Sequence, residues 1–176
     1  MVKVRQIFDT TRIEDIDKEL TARITASGML ARLKPGMRVA VTSGSRGINR
    51  ITEILGTVIR LLKETGAEPF IVPAMGSHGG GTAGGQIDML AGLGITEGSM
   101  GVPVRSCMEP VSLGMTPGGV PAYMDRNAYD SDGIVVVNRV KLHTAFHGDV
   151  ESGLCKMVAV GLGKKHGAET MHMHGL

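Results

Sequence analysis

The chain contains no tryptophan, three phenylalanines and two tyrosines, so aromatic residues make up only 3% of it. Single-stranded nucleic acid is held largely by stacking on such rings, and this chain offers few of them. An excess of one charge is missing too. Lys and Arg number 19 against 17 Asp and Glu, a formal net charge of +2, and the basic residues are scattered rather than gathered into a stripe. No nucleic-acid partner is expected. Long hydrophobic runs are also absent: the opening MVKVRQIF alternates apolar with basic or polar residues, the pattern of neither a signal peptide nor a membrane span. Cys107 and Cys155 sit in unlike contexts and match neither a CxxC metal pair nor a disulfide framework, which suits a reducing compartment and makes the cytoplasm the default location.

What is present is a chain of 176 residues with 42% hydrophobic and 20% charged residues, the balance of a single globular domain over residues 1–176. Val2, Val4 and Ile7 alternate as in a short strand, and Ile13, Ile16, Leu20 and Ile24 recur at helical spacing. A Lys34-Pro35-Gly36 turn leads to an apolar strand at Val39 to Val41, a small-residue loop over Thr42 to Gly47, and a helix with Ile51, Ile54, Leu55, Val58, Ile59 and Leu62 on one face, closed at Gly66. The unit then repeats: strand Pro69 to Val72, a Gly-rich loop over Ala74 to Gly81, and a helix from about Thr82 toward Leu93. Short strand candidates follow at Val102 to Arg105 and Val120 to Met124. The β-branched run Ile134 to Val137 reads as a strand buried on both faces at the centre of the sheet, and a helix is expected around Glu151 to Val160. The predicted class is α/β, a mainly parallel sheet with crossover helices on both faces, whose strand-end Gly-rich loops form the site.

Residues able to carry chemistry cluster in those loops. Gly44, Ser45, Arg46 and Gly47 lie between a strand and a helix, where backbone N–H groups and a guanidinium can meet a phosphate or carboxylate. His78 stands among glycines, and an imidazole with a reference pKa near 6.5 serves as acid or base near neutral pH. His143 and His147 follow the Ile134 to Val137 strand; in a loop they read as one catalytic histidine rather than a metal pair. Lys156, in a mostly apolar stretch, must be paired, reach outward, or act as a desolvated nucleophile. His166, His172 and His174 could ligate a metal. Gly161, Gly163 and Gly167 have the spacing GxGxxxG after a helix and do not make a dinucleotide fingerprint.

Three segments together, GSRGINR at Gly44 to Arg50, PAMGSHGGGTAGGQ at Pro73 to Gln86, and NRVKLHTAFHGDVESGLCKMVAVGLGKKHGAETMH at Asn138 to His172, resemble the N-terminal domain of the nickel-pincer lactate racemase family. The resemblance implies a pyridinium thioamide/thiocarboxylate mononucleotide tethered to Lys156 and chelating Ni2+, with His172 completing the metal coordination and Ser45 and Arg46 contacting the nucleotide. It also implies that His78 and His143 are the two acid–base groups acting on a small 2-hydroxyacid, one for each stereoisomer.

This sequence departs from that pattern in three ways. Ser43 and Ser45 stand where lactate-specific members carry Asp and Thr. The interval between His143 and Lys156 is longer, which makes His147 a rival for the second base. Members of the family also continue into a second, C-terminal domain absent from this chain, so the 176 residues alone are expected to turn over poorly. Oligomers are compatible with the sequence. Two other readings stand beside the racemase or epimerase: a histidine-based metal-binding module, and a non-catalytic anion-binding α/β scaffold.

Overall fold

The computed structural model describes residues 2–8, 11–141, 147–148 and 151–174. In chain order the elements are α1 (Ile16–Ala26), β1 (Arg38–Ser43), α2 (Ile51–Glu64), β2 (Glu68–Pro73), α3 (Ala83–Gly92), α4 (Glu97–Met100), β3 (Pro110–Met115), β4 (Pro121–Asp125), α5 (Arg126–Tyr129), β5 (Gly133–Val135), α6 (Leu154–Lys156), a π-helical stretch Met157–Leu162, and α7 (Lys164–Met173). The fold is mixed α/β, as its sequence pattern indicates.

β1 pairs parallel with β2, Arg38 opposite Glu68 through Ser43 opposite Pro73, and parallel with β5 on its other edge. Side chains alternate across a strand, so β1 feeds two cores. Val39 and Val41 join Leu55, Val58, Ile59 and Leu62 of α2 with Leu90 of α3 on one face. Ala40 joins Phe70, Val72, Ala128, Met157 and Leu162 on the other. Helices therefore cover both faces of the sheet. Each Leu or Ile buried on the α2 face contributes about 1.5–3 kcal/mol relative to exposure. The helix stops where Gly66 takes φ +82 with Pro35 at 3.0 Å from the position of an added Cβ, and the Gly66 carbonyl accepts from the Gly36 amide.

Several expectations change. Val2, Val4 and Ile7 form no strand and are almost fully exposed, because they pair with none of the described strands and so bury none of their apolar surface. α1 begins at Ile16, not Ile13, since the Asp15 carboxylate accepts from the Lys18 amide and sets the cap there. The run Ile134 to Val137 is not central. β1 takes that place with β2 and β5 on its two edges, and β5 is only half-buried. Beyond it, the Val137 amide donates to the Thr42 hydroxyl at 3.0 Å. Val102 to Arg105 forms no strand and pairs with the sheet by one isolated bridge, Val104 to Ile71, with the Arg105 guanidinium over the Phe70 ring. The Val120 to Met124 candidate is β4, one arm of an antiparallel hairpin with β3, whose largely exposed face leaves no clear apolar alternation to read. The helix expected around Glu151 to Val160 starts at Leu154, widens into the π-helical stretch, and is followed by α7, a further helix formed by the histidine-rich end of the chain.

Candidate functional site

Parallel β1 and β2 end side by side, so the loops after them must open at the same edge of the sheet. The pairing continues one step past the strands, the Ala74 amide donating to the Ser43 carbonyl at 2.8 Å. The first loop then carries Ser45 and Arg46, and the second carries His78. Ser45 Oγ lies 2.6 Å from His78 Nδ1, a contact joining the two loops through a side chain on each. His78 and Arg46 are exposed, and Arg46 has no partner among the described residues.

Glycines shape the second loop. Gly76, Gly79, Gly80 and Gly81 all have φ between +61 and +69, a region that residues with a Cβ seldom enter. Thr82 then caps α3, its hydroxyl accepting from the Gly85 amide at 3.0 Å. One turn further, buried Gln86 turns back under the loop and donates from Nε2 to the carbonyls of Gly76 at 2.9 Å and His78 at 3.3 Å.

The π-helical stretch closes the site from the other side. A Cβ on Gly44 would sit 3.3 Å from Met157 Cε, and one on Gly76 would sit 3.3 Å from Val160 and 3.6 Å from Ala168. The Gly76 amide donates to the Gly161 carbonyl at 3.1 Å. π-helical turns are rare and often mark functional positions. This one also explains the GxGxxxG spacing: a Cβ on Gly161 would lie 2.7 Å from the Ala74 carbonyl and one on Gly167 would lie 2.6 Å from the Ala159 carbonyl, while one on Gly163 would collide with that same Ala159 oxygen. These glycines admit a close approach of backbone.

Lys156 ends α6 immediately before Met157 and is exposed, the outward alternative among those open to a lysine in apolar surroundings. The buried lysine is Lys164, which the sequence reading missed. Its Nζ meets Asp125 at 2.9 Å, the Pro73 carbonyl at 2.6 Å and Gln86 Oε1 at 2.9 Å, with both charged side chains fully buried. Three N–H donors meet three acceptors, which is what makes such burial tolerable. The available sequence signal was weak: a polar residue, Gln86, one helical turn after a capping threonine in a segment of small and apolar residues.

His172 is exposed on α7, one turn after Ala168, the residue that packs at Gly76. His166 is occupied against the Tyr123 ring, 5.6 Å between centroids, and His174 Nδ1 meets the Thr170 carbonyl at 2.9 Å. These three histidines do not converge, and among the described residues no group of three or more His, Cys, Asp or Glu is placed to hold a metal ion. His147 is exposed and meets Glu151 at 3.3 Å. His143 lies outside the described residues.

Two concavities lie elsewhere. One of about 570 Å³ borders α1 and the start of α2, lined in part by Arg12, Arg23 and Arg50. Those arginines are already paired with Glu14, Glu19 and Glu53, so the hollow holds no spare cation for an anionic ligand. Another of about 410 Å³ lies against Ile59, Lys63 and Met100. Convergent polar groups make the strand-end loops the candidate site.

Comparison with known families places the whole fold. The profile described as Lactate racemase N-terminal domain matches residues 5–176. The chain belongs to this family. No match is found among curated proteins. Family membership spans both strand-end loops, the π-helical stretch and α7, so every candidate residue above lies within the matched lactate racemase N-terminal domain. No helix among the described residues is long and apolar enough to cross a membrane.

Proposed function

We propose that this lactate racemase N-terminal domain is the cofactor-bearing part of an enzyme that racemises or epimerises a small 2-hydroxyacid, working with a second domain that covers the loops. The observation that carries the reading is the Ser45–His78 contact at the edge where both parallel-strand loops open, with Lys156 next to the π-helical stretch that packs against them.

The residues fit a tethered nickel-pincer nucleotide. Lys156 is exposed and can be acylated, Arg46 and Ser45 can meet a phosphate, and His172 presents an imidazole suited to nickel. When bound, that group supplies an acceptor and donor of two electrons at the substrate carbon. The protein's own part is proton transfer and orientation.

His78 takes the hydroxyl proton of one stereoisomer at Nε2, and His143 or His147 serves the other. Ser45 suits a group that alternates between base and acid, because its hydroxyl oxygen can accept from Nδ1–H in both states. It leaves Nε2 bare when the neutral ring must be a base, and it still accepts from Nδ1–H once Nε2 has taken the proton and the ring is imidazolium. The exposure of His78, Arg46, Lys156 and His172 fits a site that a second domain encloses.

The test is intact mass and metal analysis of the protein produced together with enzymes that make the pincer nucleotide. The expected result is a nickel-bearing adduct of mononucleotide size that disappears in Lys156→Ala. Unmodified protein in both this chain and a version that includes a second domain would overturn the reading.

A further inference from the structure

Buried ionisable groups need a reason, and Lys164 has no place in the chemistry above. It opens α7, two residues after the π-helical stretch, with φ +55, one of two non-glycine residues of positive φ in the described chain. The left-handed turn is unfavourable for a side chain with a Cβ and persists only where surrounding contacts hold it. Here it aims the side chain into the interior, where the ammonium gathers the end of β2 at Pro73, the end of β4 at Asp125, and Gln86 of α3.

We propose that Lys164 is a positioning residue for His78, acting through the orientation of the Gln86 amide. An ammonium only donates, so Gln86 must turn Oε1 toward Nζ at 2.9 Å, which leaves its NH2 facing the loop. Carbonyls only accept, so those of Gly76 at 2.9 Å and His78 at 3.3 Å fix that NH2 in turn. The chain of contacts runs from the Asp125 carboxylate through Lys164 and Gln86 to the backbone of His78 itself, and the imidazole carried there reaches Ser45. In a loop of four glycines with positive φ, little else limits where the ring goes.

The proposal gives His78 the acid–base role assigned above, but its test does not depend on that role. The whole chain, labelled with 15N-histidine and without added ligand, is compared with Gln86→Glu and Lys164→Met by long-range 1H–15N spectra at fixed pH, with His78 assigned through His78→Gln. Thermal melting is followed in parallel. Gln86→Glu keeps an acceptor for Lys164 but has no donor for the loop carbonyls, so it separates positioning from the ion pair.

The expected result is that Gln86→Glu still melts cooperatively while its His78 ring resonances move away from their native positions and the signature of an Nδ1 engaged by a hydroxyl is lost. If Lys164→Met does not fold, Gln86→Glu decides alone. Gln86→Met, which keeps the length without either polar atom, replaces it if the carboxylate is not tolerated. A folded Gln86 variant whose His78 resonances match the native ones assigns Lys164 and Gln86 to stability only and overturns the proposal. A failure to load cofactor at Lys156 would leave this result unaffected and would count against the proposed function instead.

Discussion

Ser45 Oγ lies 2.6 Å from His78 Nδ1, and this contact joins loops separated in sequence by α2 and β2. Ser45→Ala removes the group that orients the ring without leaving a buried polar atom unpaired. Catalysis by the cofactor-loaded protein is expected to fall roughly twofold to tenfold, the worth of one neutral hydrogen bond, with thermal stability unchanged. An unaltered turnover in Ser45→Ala would detach this contact from the chemistry.

The Lys164–Asp125 pair is fully buried, so removing one partner strands the other charge in a medium of low polarity. Asp125→Ala is expected to lower unfolding stability by about 3–5 kcal/mol, measured by urea denaturation. A loss under about 1 kcal/mol would mean that water reaches the ammonium.

Glycine-to-alanine changes should divide according to what the new methyl meets. Gly161→Ala places it 2.7 Å from the Ala74 carbonyl and is expected to destabilise by about 1–3 kcal/mol. Gly56, within α2, has open space at that position, so Gly56→Ala is expected to stabilise by about 0.5–1 kcal/mol. Equal melting temperatures for the two variants would contradict the close approach of the π-helical stretch to β2.

Burial first, and the Asp125 carboxylate second, push the Cys107 thiol above its ordinary range. Its thiolate is therefore scarce near pH 8, and access to it is partial, whereas Cys155 is exposed. Iodoacetamide at that pH is expected to modify Cys155 well before Cys107, as peptide mapping by mass spectrometry reads out. Asp125→Asn should quicken labelling of Cys107. Faster labelling of Cys107 than of Cys155 in the native protein refutes this account.

Hydrogen bonds from Arg60 and Thr57 hold the Asp17 carboxyl below its usual value, tying α1 to α2. A lowered carboxylate pKa stabilises the fold above the unfolded-state value, and that support fades as the pH falls through the lower folded-state value. Asp17→Asn should therefore lower stability near neutrality while leaving the most acidic end of the pH–stability curve little changed. A pH-independent effect of the substitution would show that the carboxylate charge plays no part.

Much of the strand-loop-helix order was legible because two periodicities repeat cleanly. Val39 to Val41 and Pro69 to Val72 are short apolar runs bounded by turn residues, and the Leu55, Val58, Ile59 and Leu62 face is helical in its spacing. The loops carrying Ser45, Arg46 and His78 could be placed from that order, since parallel strands must present their following loops at one edge. Where local pattern and packing disagree, the sequence misleads. Val2, Val4 and Ile7 alternate like a strand but pair with none of the described strands, and Ile134 to Val137 looks two-sided although β1 takes the centre.

The sequence by itself determined the α/β class, the positions of the two glycine-rich loops and membership of the lactate racemase N-terminal domain family. These depend on local period and residue order, which a chain carries wherever it folds. Tertiary structure alone decided that Ser45 reaches His78, that Lys156 faces outward while Lys164 is buried, and that Gly161, Gly163 and Gly167 admit a close approach of backbone. Each of those depends on groups far apart in sequence meeting within hydrogen-bond or contact distance. Burial and partners, unlike period, are not properties of a segment on its own.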